Sequence, residues 1–218
     1  MNNVLGNSTA LSTVVGNSTA MNAMTGSATA IGIVVNSDTS MNKTVNSQIA
    51  MNSVVSSSNG ISHVVGSTKS MGYIVKMAIA MSTCVGNQQM INAIAGNNNA
   101  ATIWLNSNGV SYIASSNTCQ SPFMSDANIS KVINNQNGLN LIISNSSLIT
   151  MICSSTSKIT TLCNNSSTCG SFCDSKTART TMFDNATITQ PVIQKSSKII
   201  SAMKARSATQ NSNGTNRI

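Results

Sequence analysis

The stretch "GNSTALSTVVGNSTAMN", residues 6–22, completes one ten-residue phrase and begins it again. The position of its apolar residues decides the fold. Leu11, Val14 and Val15 stand at i, i+3 and i+4, the face of a helix, where a half-buried strand would place them at i, i+2 and i+4.

Written in rows of ten from Met1, with positions named as slots one to ten, the phrase runs along the whole chain. Rows begin every ten residues as far as Ala101. Two nine-residue rows, from Ala101 and from Gln120, then restore the register for rows starting at Val110, at Ile129 and at every tenth residue to Ile199. Of these 21 rows, 20 are apolar in slot four (Thr44 departs) and 20 in slot five (Thr25 departs), so the helical spacing belongs to the chain and not to one segment. Slot one is apolar except at Gln120, Arg179 and Thr189.

Slot six holds Gly or Asn in 11 rows, which predicts a left-handed residue closing each helix. Slot nine holds Ser, Thr or Asn in 16 rows, which predicts the N-cap. The expected unit is therefore a capped helix of about six or seven residues plus its turn. Helices so short do not persist alone, because nucleation is costly. Stacked rows share a core and support one another. The sequence thus predicts an all-α solenoid over residues 1–208 with a polar tail at 209–218. Rows paired as hairpins and stacked at ~8–10 Å would make a rod about 100 Å long. A β-solenoid stays open as the alternative, since Val, Ile and Thr favour strands, and Pro122 and Pro191, both in slot three, would each remove a helical hydrogen bond.

Composition argues against chemistry. Only 7% of the residues are charged, there is no Glu, and the acids are Asp38, Asp126, Asp174 and Asp184 beside one histidine, His63. Few groups suited to acid/base, metal or nucleophilic work are present, so no catalytic, cofactor-binding or metal-binding residue is expected. Cys153, Cys163 and Cys173 share slot five, Cys169 lies four residues before Cys173 on the same face, and Cys84 occupies slot four. Zinc ligands come as CxxC pairs near turns, so these cysteines read as core residues. Asp174 and Asp184, one row apart in slot six, read as a solvated pair beside Lys176 and Arg179. His63, in slot three, reads as outward and solvated. Thr9, Thr19, Thr29 and Thr39 align in slot nine, but the series fails at Ile49, which argues against an ice-binding ladder.

The net charge of +8 is uneven, +2 over residues 1–109 and +6 over 110–218. Lys195, Lys198, Lys204, Arg206 and Arg217 close the chain, a basic end suited to an acidic protein surface; nucleic acid is the lesser reading, because most of the six aromatics fall in core slots. No run of 18 apolar residues or signal peptide is present, which leaves the cytoplasm as the expected place of synthesis and assembly, with no membrane span. Met1, Val4 and Leu5 repeat the interior pattern without a polar cap, so another subunit or protein is expected to cover that end.

The opening rows, "GNSTALSTVVGNSTAMNAMTGSATA", resemble the decapeptide arrays of general form S-T-A-M-x-x-V-x-x-S in proteins encoded by tailed bacteriophages and some prophages. The likeness is close over rows one to three, looser over the rest of the first hundred residues, and beyond them rests on the slots alone. Val, Ile and Asn here replace much of that family's Ala. The resemblance implies a virion component, such as a head or tail fibre, decoration or connector protein, that meets other virion proteins and further copies of itself. The alternatives are a β-solenoid adhesin or surface-binding protein, and a basic nucleic-acid-binding solenoid.

Overall fold

The computed structural model describes residues 7–184, and every regular element there is a helix. Twelve helices form one compact unit: α1 (Ser8–Val15), α2 (Ser18–Gly26), α3 (Ala28–Asn36), α4 (Asp38–Val45), α5 (Gln48–Val55), α6 (Ser58–Gly66), α7 (Thr68–Ile74), α8 (Ala78–Val85), α9 (Gln88–Gly96), α10 (Asn98–Leu105), α11 (Gly109–Ser115) and α12 (Asn117–Phe123). Six form a second: α13 (Ile129–Ile133), α14 (Gln136–Ile143), α15 (Ser146–Cys153), α16 (Thr156–Cys163), α17 (Ser166–Asp174) and α18 (Lys176–Asp184). The boundary follows Phe123, inside the nine-residue row that starts at Gln120. Among the described residues there is no strand, which removes the β-solenoid alternative. Pro191, the basic residues from Lys195 onward and the tail 209–218 lie outside the described residues.

Slots one, four and five supply the core. Leu11, Met21, Val34, Ile61, Ile94 and Leu162 are buried, as are Val15, Val35 and Cys153 in slot five, while Val14 is half-buried. The two misfits of the pattern are buried as well. Thr44 returns its hydroxyl to the Ser40 carbonyl at 2.8 Å, and Thr25 to the Asn22 carbonyl at 3.3 Å, so each threonine satisfies itself within its own helix. A fourth buried column was not foreseen. Slot ten turns inward, mostly through small residues (Ala30, Ser40, Ala50, Gly60, Ser70, Ala80 and Ala100) but also through Met90 and Leu148, and at its glycines the start of one helix lies hard against the end of the last. A β-carbon on Gly60 would stand 2.5 Å from the Val54 carbonyl oxygen, and one on Gly138 would collide with the Val132 carbonyl in the same way.

Both predicted punctuation marks are displaced. The N-cap is slot seven, not slot nine: in α1 to α6 the caps are Asn7, Asn17, Ser27, Ser37, Ser47 and Ser57, each extended and each accepting a backbone N–H with its side chain. Starting two residues earlier makes most helices eight or nine residues long instead of six or seven. Slot six does not close them left-handed either, since Gly16, Asn46 and Gly86 have φ of −88°, −89° and −72° in the right-handed region. At most corners one right-handed residue followed by one extended cap makes the whole turn between rows; the corners before α11 and α13 are longer and end on the right-handed caps Asn108 and Asn128.

That corner also decides how rows stack. Hairpins would pair helices two apart. Instead each of α1 to α7 packs on its neighbour and on the helix three places further on, and so do α13, α14 and α15 in the second unit. Three rows, about thirty residues, therefore complete one turn, and each unit has three sides. In the first unit these are α1, α4, α7 and α10; then α2, α5 and α8; then α3, α6, α9 and α12. Pro122 lies within α12, buried. The carbonyl of Thr118, four residues back, loses its helical donor and accepts Gln88 Nε2 from α9 at 3.2 Å.

Candidate functional site

The corners concentrate the polar interactions. At four of them, those of Ser47, Ser57, Asn87 and Ser175, the slot-seven side chain has two tasks. Ser57 Oγ accepts the Gly60 N–H at 3.2 Å, starting α6, and donates to the Thr25 carbonyl at 2.8 Å, the end of a helix one turn earlier. Ser47 does the same with the Ala50 N–H and the Val15 carbonyl, and Ser175 in the second unit with the Ala178 N–H and the Ile143 carbonyl. Asn87 divides the tasks between its two atoms: Oδ1 accepts the Met90 N–H at 2.8 Å and Nδ2 donates to the Val55 carbonyl at 3.1 Å. One side chain thus satisfies an orphan donor and an orphan acceptor that helix ends would otherwise leave open. Met77 breaks the series and caps nothing.

Slot seven is legible in hindsight. Over the described rows it is Ser or Asn everywhere but Met77 and Asp126, a purer column than slot nine, which also carries Ile49, Lys69, Ile79, Gln89 and Gly109.

Three rows per turn also separates residues that a flat alignment brings together. Thr9, Thr19 and Thr29 lie on three different sides, and only Thr39 returns to the side of Thr9, so no threonine ladder forms. Asp174 and the slot of Asp184 likewise belong to successive helices on different sides; the Asp184 side chain lies outside the described residues. The Asp174 carbonyl accepts Arg179 Nη1 at 2.7 Å, and so does the Cys173 carbonyl at 3.0 Å, which makes Arg179 a cap on the end of α17.

His63 is half-buried, not outward and solvated. Its ring lies against Gly32 one turn earlier, where a β-carbon would stand 3.6 Å from the imidazole. It borders an open groove of about 460 Å³ shared with Asn36, Ser67, Thr68 and Lys69, and no carboxylate lines it. A second open groove, of about 570 Å³, runs between α6 and α9 past Ile61, Val65, Gln89 and Asn97. Charge in the first unit is confined to one side: Asp38 and Lys43 on α4, Lys69 on α7 and Lys76 just after it. There Asp38 receives Lys69 Nζ at 3.3 Å and the Tyr73 hydroxyl at 3.1 Å. Partial loss of water, then the hydrogen bond to Asp38, raises the Tyr73 hydroxyl above its ordinary value. In the second unit Lys158 lies 3.7 Å from Asp126, and burial lowers the Lys131 ammonium, which donates to Asn128 Oδ1 at 2.9 Å.

All six cysteines are buried and unbridged. Burial, with Cys119 beside it, pushes the Cys84 thiol up to about 12; burial pushes Cys119 to about 11, and burial next to Cys163 pushes Cys153 to about 12. Such thiols stay protonated and behave as small apolar groups. Among the described residues no group of three His, Cys, Asp or Glu side chains could hold a metal ion, and no helix is long and apolar enough to cross a membrane. No protein-family model and no curated protein sequence matches the chain.

Proposed function

We propose that this chain is a non-enzymatic structural component of a virus particle, a decapeptide solenoid of 21 rows that assembles with other virion proteins. The observation that carries the reading is the employment of its polar groups. Slot seven, among the described residues the column best supplied with hydroxyls and amides, joins one turn to the one before at Ser47, Ser57, Asn87 and Ser175, and the thiols fill the core. Stability in such an array is a sum of neighbour terms. A protein built this way offers length and repeated surface. The likeness of rows one to three to bacteriophage decapeptide arrays favours the virion over other settings for a scaffold of this kind.

The test is to purify particles on a density gradient, identify their proteins by mass spectrometry and image the intact particle. The chain should co-purify at a fixed stoichiometry and account for repeating helical density. Its recovery from the host lysate in full, with none in the particles, overturns the proposal.

A further inference from the structure

We propose that Cys163 and Cys169 are a built-in disulfide site, which an oxidant closes into a staple across the corner between α16 and α17.

Across a corner, slot five of one row and slot one of the next are six residues apart in sequence and both face the core. In the described rows that pair is usually two large apolar residues, such as Val15 with Met21 or Val55 with Ile61. Only here are both cysteine. Cys163 ends α16, Asn164 continues right-handed, Asn165 is the extended cap, and Cys169 is the fourth residue of α17. The fold itself thus delivers the two sulfurs to one place, 3.6 Å apart. A disulfide requires about 2 Å, so side-chain rotation and a small adjustment of the corner close the gap. Thr168 holds the corner in position, its hydroxyl donating to the Leu162 and Asn165 carbonyls at 2.9 Å each.

The chemistry balances with a low-molecular-weight disulfide as oxidant. Cys163, at the end of α16, loses its proton and attacks one sulfur of that disulfide; the S–S bond breaks and one small thiol leaves. Cys169 then loses its proton and attacks the Cys163 sulfur, forming the bridge and expelling the second small thiol. Two protein thiols give up two electrons and two protons, and one disulfide becomes two thiols. The bridge ties consecutive helices of one corner, so it stiffens the coil without altering its register.

The experiment uses the native full-length chain and oxidised glutathione, followed by alkylation and chymotryptic digestion without reduction. Cleavage after Leu162 and Phe172 releases residues 163–172, which contain Cys163 and Cys169 and none of the other cysteines. That peptide should appear two hydrogens lighter than its dithiol form and unalkylated, and it should take two labels only after reduction. Cys169→Ser should arrest the chain with glutathione on Cys163. Two alkylated thiols in the peptide after oxidation, a stable glutathione adduct on the unsubstituted chain, or a bridge to Cys153 or Cys173 in its place would each overturn the inference.

Discussion

Replacing Ser57 tests the double role of slot seven most sharply, because three substitutions separate its two hydrogen bonds. Ser57→Ala removes both. The lost cap on the Gly60 N–H costs about 1 kcal/mol, and the lost bond to the Thr25 carbonyl about another 1 kcal/mol, for a total on the order of 2 kcal/mol at a site where both partners are held in place. Ser57→Asp keeps a good cap but has no hydrogen for the Thr25 carbonyl, so it should lose about 1 kcal/mol. Ser57→Asn copies Asn87, which meets both requirements, and should stay within about 0.5 kcal/mol of the unsubstituted chain. The neighbouring exposed Ser58→Ala serves as the neutral control. Urea titration followed by the helical circular dichroism signal ranks the four variants. The reasoning fails if Ser57→Ala matches Ser58→Ala, or if aspartate proves as good as asparagine.

Three further outcomes are expected. Gly60→Ala drives a methyl into the Val54 carbonyl and should destabilise by ~1–3 kcal/mol, whereas Gly66→Ala enters open space and should be neutral or stabilising by up to ~1 kcal/mol; thermal midpoints distinguish the two. Cysteines placed at Asn52 and Ser82, both exposed and thirty residues apart on one side, should be joined by a bis-maleimide spanning about 10 Å; an efficient link between cysteines at Asn52 and Gly72, as in a hairpin stack, would overturn three rows per turn. Stability should also fall in alkali. Cys84 is held at about 12 against 9.0 for an ordinary thiol, so the folded chain retains a proton that the unfolded chain releases; the stabilisation is complete below pH 9.0 and is lost as pH rises toward 12. Equilibrium denaturation across that range should show the decline, and Cys84→Ala should make it shallower.

Much of this architecture can be read from residue spacing, and the parts that cannot have a common cause. Leu11, Val14 and Val15 declare a helix because burial on one face has a period, and the same arithmetic finds both nine-residue rows. Thr25 and Thr44 look like faults in the pattern only until their hydroxyls are seen to bond their own helices. Slot nine misled because Ser, Thr and Asn are as good on an exposed first turn as at a cap, and the chain is rich in them. The small residues of slot ten, such as Gly60, carry little hydrophobic signal although they stand at the tightest contacts. The number of rows per turn depends on the dihedral angles of two corner residues, and Gly16 followed by Asn17 does not declare those angles in its composition. His63 followed the same logic: its place against Gly32 depends on which rows share a side.

The corner has a consequence for how the chain comes to be folded. The hydrogen bonds that join successive turns span only 29 to 35 residues, from Ser155 with Asp126 to Gln48 with Thr83, and each principal packing partner lies one, three or four helices away. A growing polypeptide thus meets every contact soon after synthesising it, with little loop entropy to overcome and no distant strand to await. Each new triplet of rows can settle on the triplet already formed while the ribosome is still at work, so only the newest thirty or so residues need shelter at a time.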